Sequence, residues 1–355
     1  MKRELKTPVV KVGVIGLGWM GQCHIRYLSD VEGCEITAVC DKREEQVREI
    51  AASTGARAYT QHQDLINDPE VNTIYIVTPQ MFHCSILLDA LESGKNILCE
   101  KPLALTAEEI KQIRQASVDY PGKIMIDFPQ RFSVATQEAM AEISRGALGS
   151  IQFVRANFRF SMKQHAKLHG AWVFDKTKGG GLILESSVHL WDAVRYFSGQ
   201  EVVSVCAVAH DHPDITFEDS FFCIARLSGG AIAGIDMNGW MPDNADTDKR
   251  FEIVGDKGAV YLDELQNYLT VQSELGIENN PGMFTDGATH KDVMWHSRVA
   301  GAVKRLDEAF VKCIRYDETP ATGIEDGARA SEITWAVYES LRTGRLVEVA
   351  YGTIE

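Results

Sequence analysis

Three side chains stand out for where they fall. Lys101 sits in Glu100-Lys101-Pro102, directly after the apolar run Asn96–Cys99. A lysine at a strand's C-terminal tip, followed by proline, is held on a stiff turn. Its ammonium can hydrogen-bond a substrate hydroxyl and stabilise a developing alkoxide. His189 lies four residues after Glu185, at the expected start of a helix over Ser186–Phe197. That spacing puts carboxylate and imidazole on one helix face. Histidine titrates in the range needed to take a hydroxyl proton, and a carboxylate neighbour can orient it. The preceding Gly179-Gly180-Gly181 permits close approach of backbone to a ligand. Taken singly, each feature has a plainer reading: a surface lysine, and a helix-surface ion pair.

The N-terminal run supplies a partner for this chemistry. Val12–Ile15 reads as a buried strand and runs into Gly16-x-Gly18-x-x-Gly21. A helix over Gly21–Asp30 is expected next, then a second strand, Ile36–Cys40, ending at Asp41. In such a unit the first glycine turns the chain and the second lets backbone approach a pyrophosphate. The third lets helix and strand pack, with the phosphates on the helix N-terminus. Asp41 falls about 20 residues beyond Gly21, where a carboxylate reaches the adenosine ribose hydroxyls. The run therefore reads as a dinucleotide site. Asp41 favours NAD over NADP, although Lys42 and Arg43 follow directly and can accept a 2′-phosphate.

Strand and helix signals alternate to about residue 128, which implies a parallel sheet wound on both faces. In open sheets of this kind ligands bind beyond the strands' carboxyl ends. Three such ends carry suggestive residues: Thr78-Pro79 with His83, Glu100-Lys101-Pro102, and Asp127 through Arg131-Phe132. Thr106 with Glu109 predicts a capping box on the helix over Thr106–Asp119. After residue 128, strand-like runs follow one another with short turns, predicting a mostly antiparallel open sheet, with helices returning near Val299–Tyr316 and Ile324–Thr343. The fold class is thus α/β, a Rossmann domain over 1–128 and an α+β substrate-binding and oligomerisation domain over 129–355. One face of the open sheet needs a cover, so a homodimer or homotetramer through it is expected.

Composition narrows the function classes. The 355 residues are 45% hydrophobic and 24% charged, ordinary for a globular protein of two domains. A net charge of −14 argues against nucleic acid as a partner. No apolar stretch approaches a membrane span and the N-terminus leads into a strand, so a cytoplasmic location is expected. The eight cysteines are scattered without a CxxC pair, which argues against a disulfide framework. His165 and His169 lie four apart and His210 and His212 two apart, but neither pair has a frame of ligand spacing, and no metal is expected. His165 and His169 fall with Lys163 in a polar loop that can line a substrate pocket.

The ordered set of these motifs resembles the Gfo/Idh/MocA oxidoreductases over nearly the whole chain. It comprises Gly16-x-Gly18-x-x-Gly21 with His24, Thr78-Pro79 with His83, Glu100-Lys101-Pro102-Leu103-Ala104, Arg131-Phe132, Trp172 with Asp175, and Gly179-Gly180-Gly181 leading to Glu185, His189 and Asp192. The resemblance implies NAD(P) and a sugar, polyol or sugar-derivative substrate. It makes Lys101 the catalytic lysine and His189 the acid/base. Glu185 stands where aspartate is usual, Gln80 where asparagine is common, and Phe128-Pro129-Gln130 replaces a glycine-led turn. The expected catalytic residues are Lys101, His189 and Glu185. The expected cofactor residues are Gly16, Gly18, Trp19, Met20, Gly21, Asp41, Lys42, Arg43, Thr78, Pro79, His83, Glu100, Lys101 and Arg131. The substrate side is expected at Lys101, Arg131, His165, His169, Trp172, Glu185 and His189. Hydride transfer between nicotinamide and a secondary hydroxyl or ketone is the leading reading. An NAD-dependent glycoside-cleaving enzyme working through transient oxidation and elimination, and a non-catalytic dinucleotide-dependent regulator, stay open beside it.

Overall fold

The computed structural model describes residues 9–211, 218–245, 247–265, 268–274, 276–281 and 296–352. The chain forms two compact units. One comprises the residues up to Asp127 together with Val303–Ala328, the other Phe128–Ala302 with Arg329–Gly352.

In the first unit strands and helices alternate: β1 (Val10–Ile15), α1 (Trp19–Leu28), β2 (Cys34–Cys40), α2 (Glu44–Thr54), β3 (Arg57–Tyr59), α3 (His62–Ile66), β4 (Thr73–Ile76), α4 (His83–Leu91), β5 (Asn96–Glu100), α5 (Ala107–Ala116) and β6 (Ile124–Asp127). All the strands pair in parallel, in the order β3-β2-β1-β4-β5-β6. The order reverses direction between β1 and β4, and this opens a crevice beyond their C-terminal ends. Strands β1, β4 and β5 bury nearly every residue, as strands covered on both faces must. Helix α5 begins with the expected capping box: Thr106 Oγ1 accepts from Glu109 N at 3.2 Å, and Glu109 Oε2 accepts from Thr106 N at 2.9 Å.

The second unit opens with α6 (Val134–Ser144), β7 (Ile151–Arg159), α7 (Met162–His169), a 3-10 turn at Ala171–Phe174, α8 (Lys176–Gly179) and α9 (Gly181–Ser198). It continues through β8 (Val202–Asp211), β9 (Glu218–Leu227), β10 (Ile232–Asn238), β11 (Asp248–Gly255), β12 (Gly258–Asp263), β13 (Tyr268–Ser273) and β14 (Gly276–Pro281). Helices α10 (His296–Tyr316) and α11 (Ile324–Thr343) and strand β15 (Val347–Glu348) end the chain. The nine strands run β14-β13-β12-β11-β7-β10-β9-β8-β15, antiparallel except for β7 against β10. Helix α9 packs on one face, with Trp191, Phe197, Phe221 and Phe251 in the core. On the other face Val208, Phe222, Ile224 and Ile232 are each more than half exposed. Among the described residues no helix is long and apolar enough to cross a membrane.

Three expectations need correction. Residues Val303–Ala328 belong to the first unit, so the second is not the continuous stretch 129–355. The reason is packing: Leu306, Asp307 and Phe310 are fully buried, and the Phe310 ring lies 6.1 Å from that of Tyr75 on β4. The polar loop around His165 is helical, started by Ser161, whose hydroxyl caps Gln164 N. Helix α9 begins at Gly181, not Ser186, because the buried Leu182-Ile183-Leu184 is its first apolar turn.

Candidate active site

The crevice side of the first unit is built from backbone. Gly16 has φ of +96°, and a Cβ there would stand 2.3 Å from Val77 O. A Cβ on Gly21 would stand 2.0 Å from Gly16 O, so helix α1 is pressed directly onto the turn. A Cβ on Gly18 would meet nothing within 4 Å. Gly18 is also the N-cap of α1 and supplies no side chain to cap it, so the first N–H groups of the helix are left for a ligand. Trp19 and Met20, both half-buried, form the helix's first turn. This is the form a pyrophosphate needs, and the residues present fit a dinucleotide.

Asp41 follows β2 at the same end of the sheet. Its Oδ2 accepts from Leu17 N at 2.9 Å, and its two oxygens accept from Arg43 Nε and Nη2 at 3.0 and 2.9 Å. Burial alone would push the Asp41 carboxyl up, but Arg43 and the backbone N–H groups hold it below the ordinary range. Lys42 Nζ donates to Gln61 Oε1 at 2.8 Å. The two cations that follow Asp41 are thus turned to protein partners.

The tips of β4 and β5 are tied together by His83, which is fully buried. Its Nδ1 lies 2.8 Å from Pro102 O and its Nε2 2.7 Å from Thr78 O. Burial pushes its pKa down. With both ring nitrogens committed to carbonyls, His83 braces the Thr78-Pro79 and Lys101-Pro102 turns from inside; it does not offer a nitrogen to the crevice. Glu100 is likewise buried, and its Oε2 accepts from Lys101 N at 3.0 Å. Lys101 itself is only half-buried.

Behind these turns lies a charged cluster. His24, one turn after Gly21 on α1, is fully buried with Nδ1 2.9 Å from Asp307 Oδ1 and Nε2 3.1 Å from Asp127 Oδ2. Burial works against its charge, but Asp307 and Asp127 prevail and hold the imidazolium well above its ordinary range. Burial likewise pushes Asp307 up to about 6. One atom each of His24, Glu100 and Asp127 lie within 4.8 Å of one another, the spacing of a metal site. Both His24 nitrogens are already engaged by carboxylates, so the cluster reads as an internal ion-pair network.

In the second unit the expected residues gather around α9. Helix α7 brings His165 Nε2 within 3.4 Å of Glu185 Oε2, and the His165 and His169 rings lie 4.3 Å apart. Trp172, half-buried, donates from Nε1 to His169 O at 2.6 Å. The Glu185 carboxylate also accepts from the Ser186 hydroxyl. His189 sits edge-on to Phe128 with centroids 6.1 Å apart. The longer Glu185 side chain therefore reaches His165, a partner the helix spacing did not point to. Arg131 was expected to touch ligand, but its Nε and Nη2 form a buried fork on Asp192 at 2.9 and 2.6 Å, with the guanidinium over Tyr196. That geometry holds the segment after β6 against α9. His210 Nδ1 pairs with Asp219 at 3.0 Å, and His212 lies outside the described residues.

A doubly wound sheet with a bare glycine turn and an acid after β2, followed by an open antiparallel sheet, defines an NAD-binding oxidoreductase. The chain belongs to the Gfo/Idh/MocA family: residues 10–128 match the family's NAD-binding Rossmann domain, and residues 136–261 match a Gfo/Idh/MocA C-terminal domain. It is 24% identical to myo-inositol 2-dehydrogenase of Thermotoga maritima, over 96% of this chain and 98% of that one. It is 24% identical to D-glucoside 3-dehydrogenase of Escherichia coli, over 98% and 100%. The fold is shared with a levoglucosan dehydrogenase solved with NADH and levoglucosan, at a TM-score of 0.86 and 23% identity, covering 97% of this chain and all of that one.

The network of His24, Asp127 and Asp307 is what sequence reasoning missed. His24 and Asp127 stand in motifs already noted, but Asp307 is 283 residues from His24 and no local pattern joins them. A lone Asp inside the apolar stripe of α10, between Leu306 and Phe310, is the one signal that pointed to a buried partner.

Proposed function

We propose that this chain is an NAD-dependent dehydrogenase of a secondary hydroxyl, or the matching ketone, in a polyol or sugar. The observation that carries it is Lys101, half-exposed on a turn fixed by His83 and Glu100 beyond β5, in a unit whose glycine turn is open to a pyrophosphate. The names of the relatives, dehydrogenases of an inositol and a glucoside, support the substrate class. When bound, NAD supplies the acceptor for the hydride. Lys101 donates a hydrogen bond to the substrate oxygen and steadies its growing negative charge. His189 takes the hydroxyl proton, and Glu185 with His165 holds substrate hydroxyls beside it. Thr78, Pro79, Trp19 and Met20 line the cofactor's side.

The test is a panel of inositols, aldoses, uronates and glycosides with NAD, followed at the nicotinamide absorbance band. Lys101→Ala and His189→Ala are expected to lose turnover while binding NADH as the parent does. Wild-type turnover in either variant would remove that residue's role, and product without net NADH would move the chain to glycoside cleavage.

We also infer that a second copy covers the open sheet face, since Val208, Phe222, Ile224 and Ile232 form an apolar patch there. Ile224→Lys is expected to lower the mass seen by light scattering, and an unchanged mass would count against that interface. Eight free cysteines suit a reducing cytoplasm.

A further inference from the structure

We propose that Glu100 is a positioning residue for Lys101 and works as a neutral carboxylic acid, so that the lysine's charge is left uncompensated for the substrate. The proposal rests on Lys101 being the catalytic lysine. Its basis is a count of buried charge. Glu100 and Asp127 are direct neighbours on the parallel strands β5 and β6. Both are buried, and Asp127 Oδ1 has no hydrogen-bond partner. The groups facing Glu100 are Asp127 from β6, His24 and Cys23 from α1, Cys99 on its own strand and Lys101 on the turn. Asp307 stands on the far side of His24, and Tyr75 of β4 faces that acid. Three carboxyl groups thus surround one imidazolium, whose two nitrogens are already committed to Asp127 and Asp307. Glu100 is the carboxyl left without a share of it.

Two like charges side by side in a dry interior cannot both persist, so one carboxyl keeps its proton. Burial first, then Asp127, push Glu100 up to about 8. Its role toward the turn needs no charge, because Oε2 has only to accept the Lys101 N–H. An ionised Glu100 would draw on the field of the adjacent ammonium. Kept neutral, it fixes the backbone and leaves that field to the oxygen being oxidised.

The experiment is an isotope-edited infrared titration of the full-length protein carrying 13C-labelled glutamate, with and without NADH. A protonated carboxyl band is expected at pH 7. It should disappear in the mildly alkaline range and be missing from Glu100→Gln. Glu264, the other buried glutamate that burial pushes up, is separated by Glu264→Gln. In turnover, kcat should fall as the band is lost, by about tenfold per pH unit beyond the midpoint, with KM for NAD steady. That fall should be absent in Glu100→Gln. No protonated glutamate beyond Glu264 at pH 7, or the same alkaline fall in Glu100→Gln, overturns the proposal. If Glu100→Gln does not fold, the parent's band decides alone. Lys101→Ala tells the two readings apart: wild-type turnover there sinks both, whereas loss of turnover with no Glu100 band sinks only this one.

Discussion

Replacing Gly18 by alanine should separate cofactor binding from folding. Its φ of −64° and ψ of −169° are open to alanine, and the added Cβ would meet no protein atom within 4 Å. Loss of chain freedom in the unfolded state should make Gly18→Ala neutral or more stable by about 0.4–1 kcal/mol. The methyl group projects where the backbone must approach a pyrophosphate. Losing one charge-assisted hydrogen bond from the α1 N-terminus is worth about 1.5–3 kcal/mol, or roughly 10- to 150-fold in affinity. Gly21→Ala is the control, because its Cβ would stand 2.0 Å from Gly16 O and must displace backbone. It should lower both stability, by about 1–3 kcal/mol, and affinity. The assay is NADH titration by calorimetry beside a thermal melt. Gly18→Ala binding NADH as tightly as the parent would refute the cradle assigned to this turn.

Two further outcomes follow from the ion pairs. Asp41→Ala leaves Lys42 and Arg43 without their neighbouring carboxylate, so preference should move toward NADP by at least about tenfold, read from Kd for both cofactors. Arg43→Ala should change NAD affinity by less than about fivefold, since an exposed pair is worth under about 1 kcal/mol. His24→Gln leaves Asp127 and Asp307 buried without a counter-charge and should cost about 3–5 kcal/mol in urea unfolding. Asp307 holds its proton more tightly folded than unfolded, so its contribution is present in acid and is lost as pH rises through about 6. The variant should therefore be closer to the parent at pH 5 than at pH 7; an equal gap at both would contradict the network.

The sequence was legible where local rules act. A glycine turn between two apolar strands, Asp41 at a strand's end and the Thr106–Glu109 cap each depend on neighbours within a few residues, and each forms as its pattern predicts. The site became illegible where distant segments decide. Glu185 carries a pattern that pairs it with His189, yet α7 brings His165 to it. Arg131 reads as an exposed cation, but Asp192 on α9 claims its fork. The short β3 was read as loop because Arg57-Ala58-Tyr59 is too brief for a period of two to show.

The return of residues 303–328 to the nucleotide-binding half sets an order of events at birth. A ribosome releases Val10 through Asp127 long before it makes Asp307 and Phe310, so His24 must wait beside Asp127 for a counter-ion that does not yet exist. The N-terminal half is a nascent chain with an unfilled seat, and its maturation is tied to synthesis of nearly the whole polypeptide. A gene fragment ending after β6 would encode the glycine turn and every strand of the first sheet, but not the helix that closes their core.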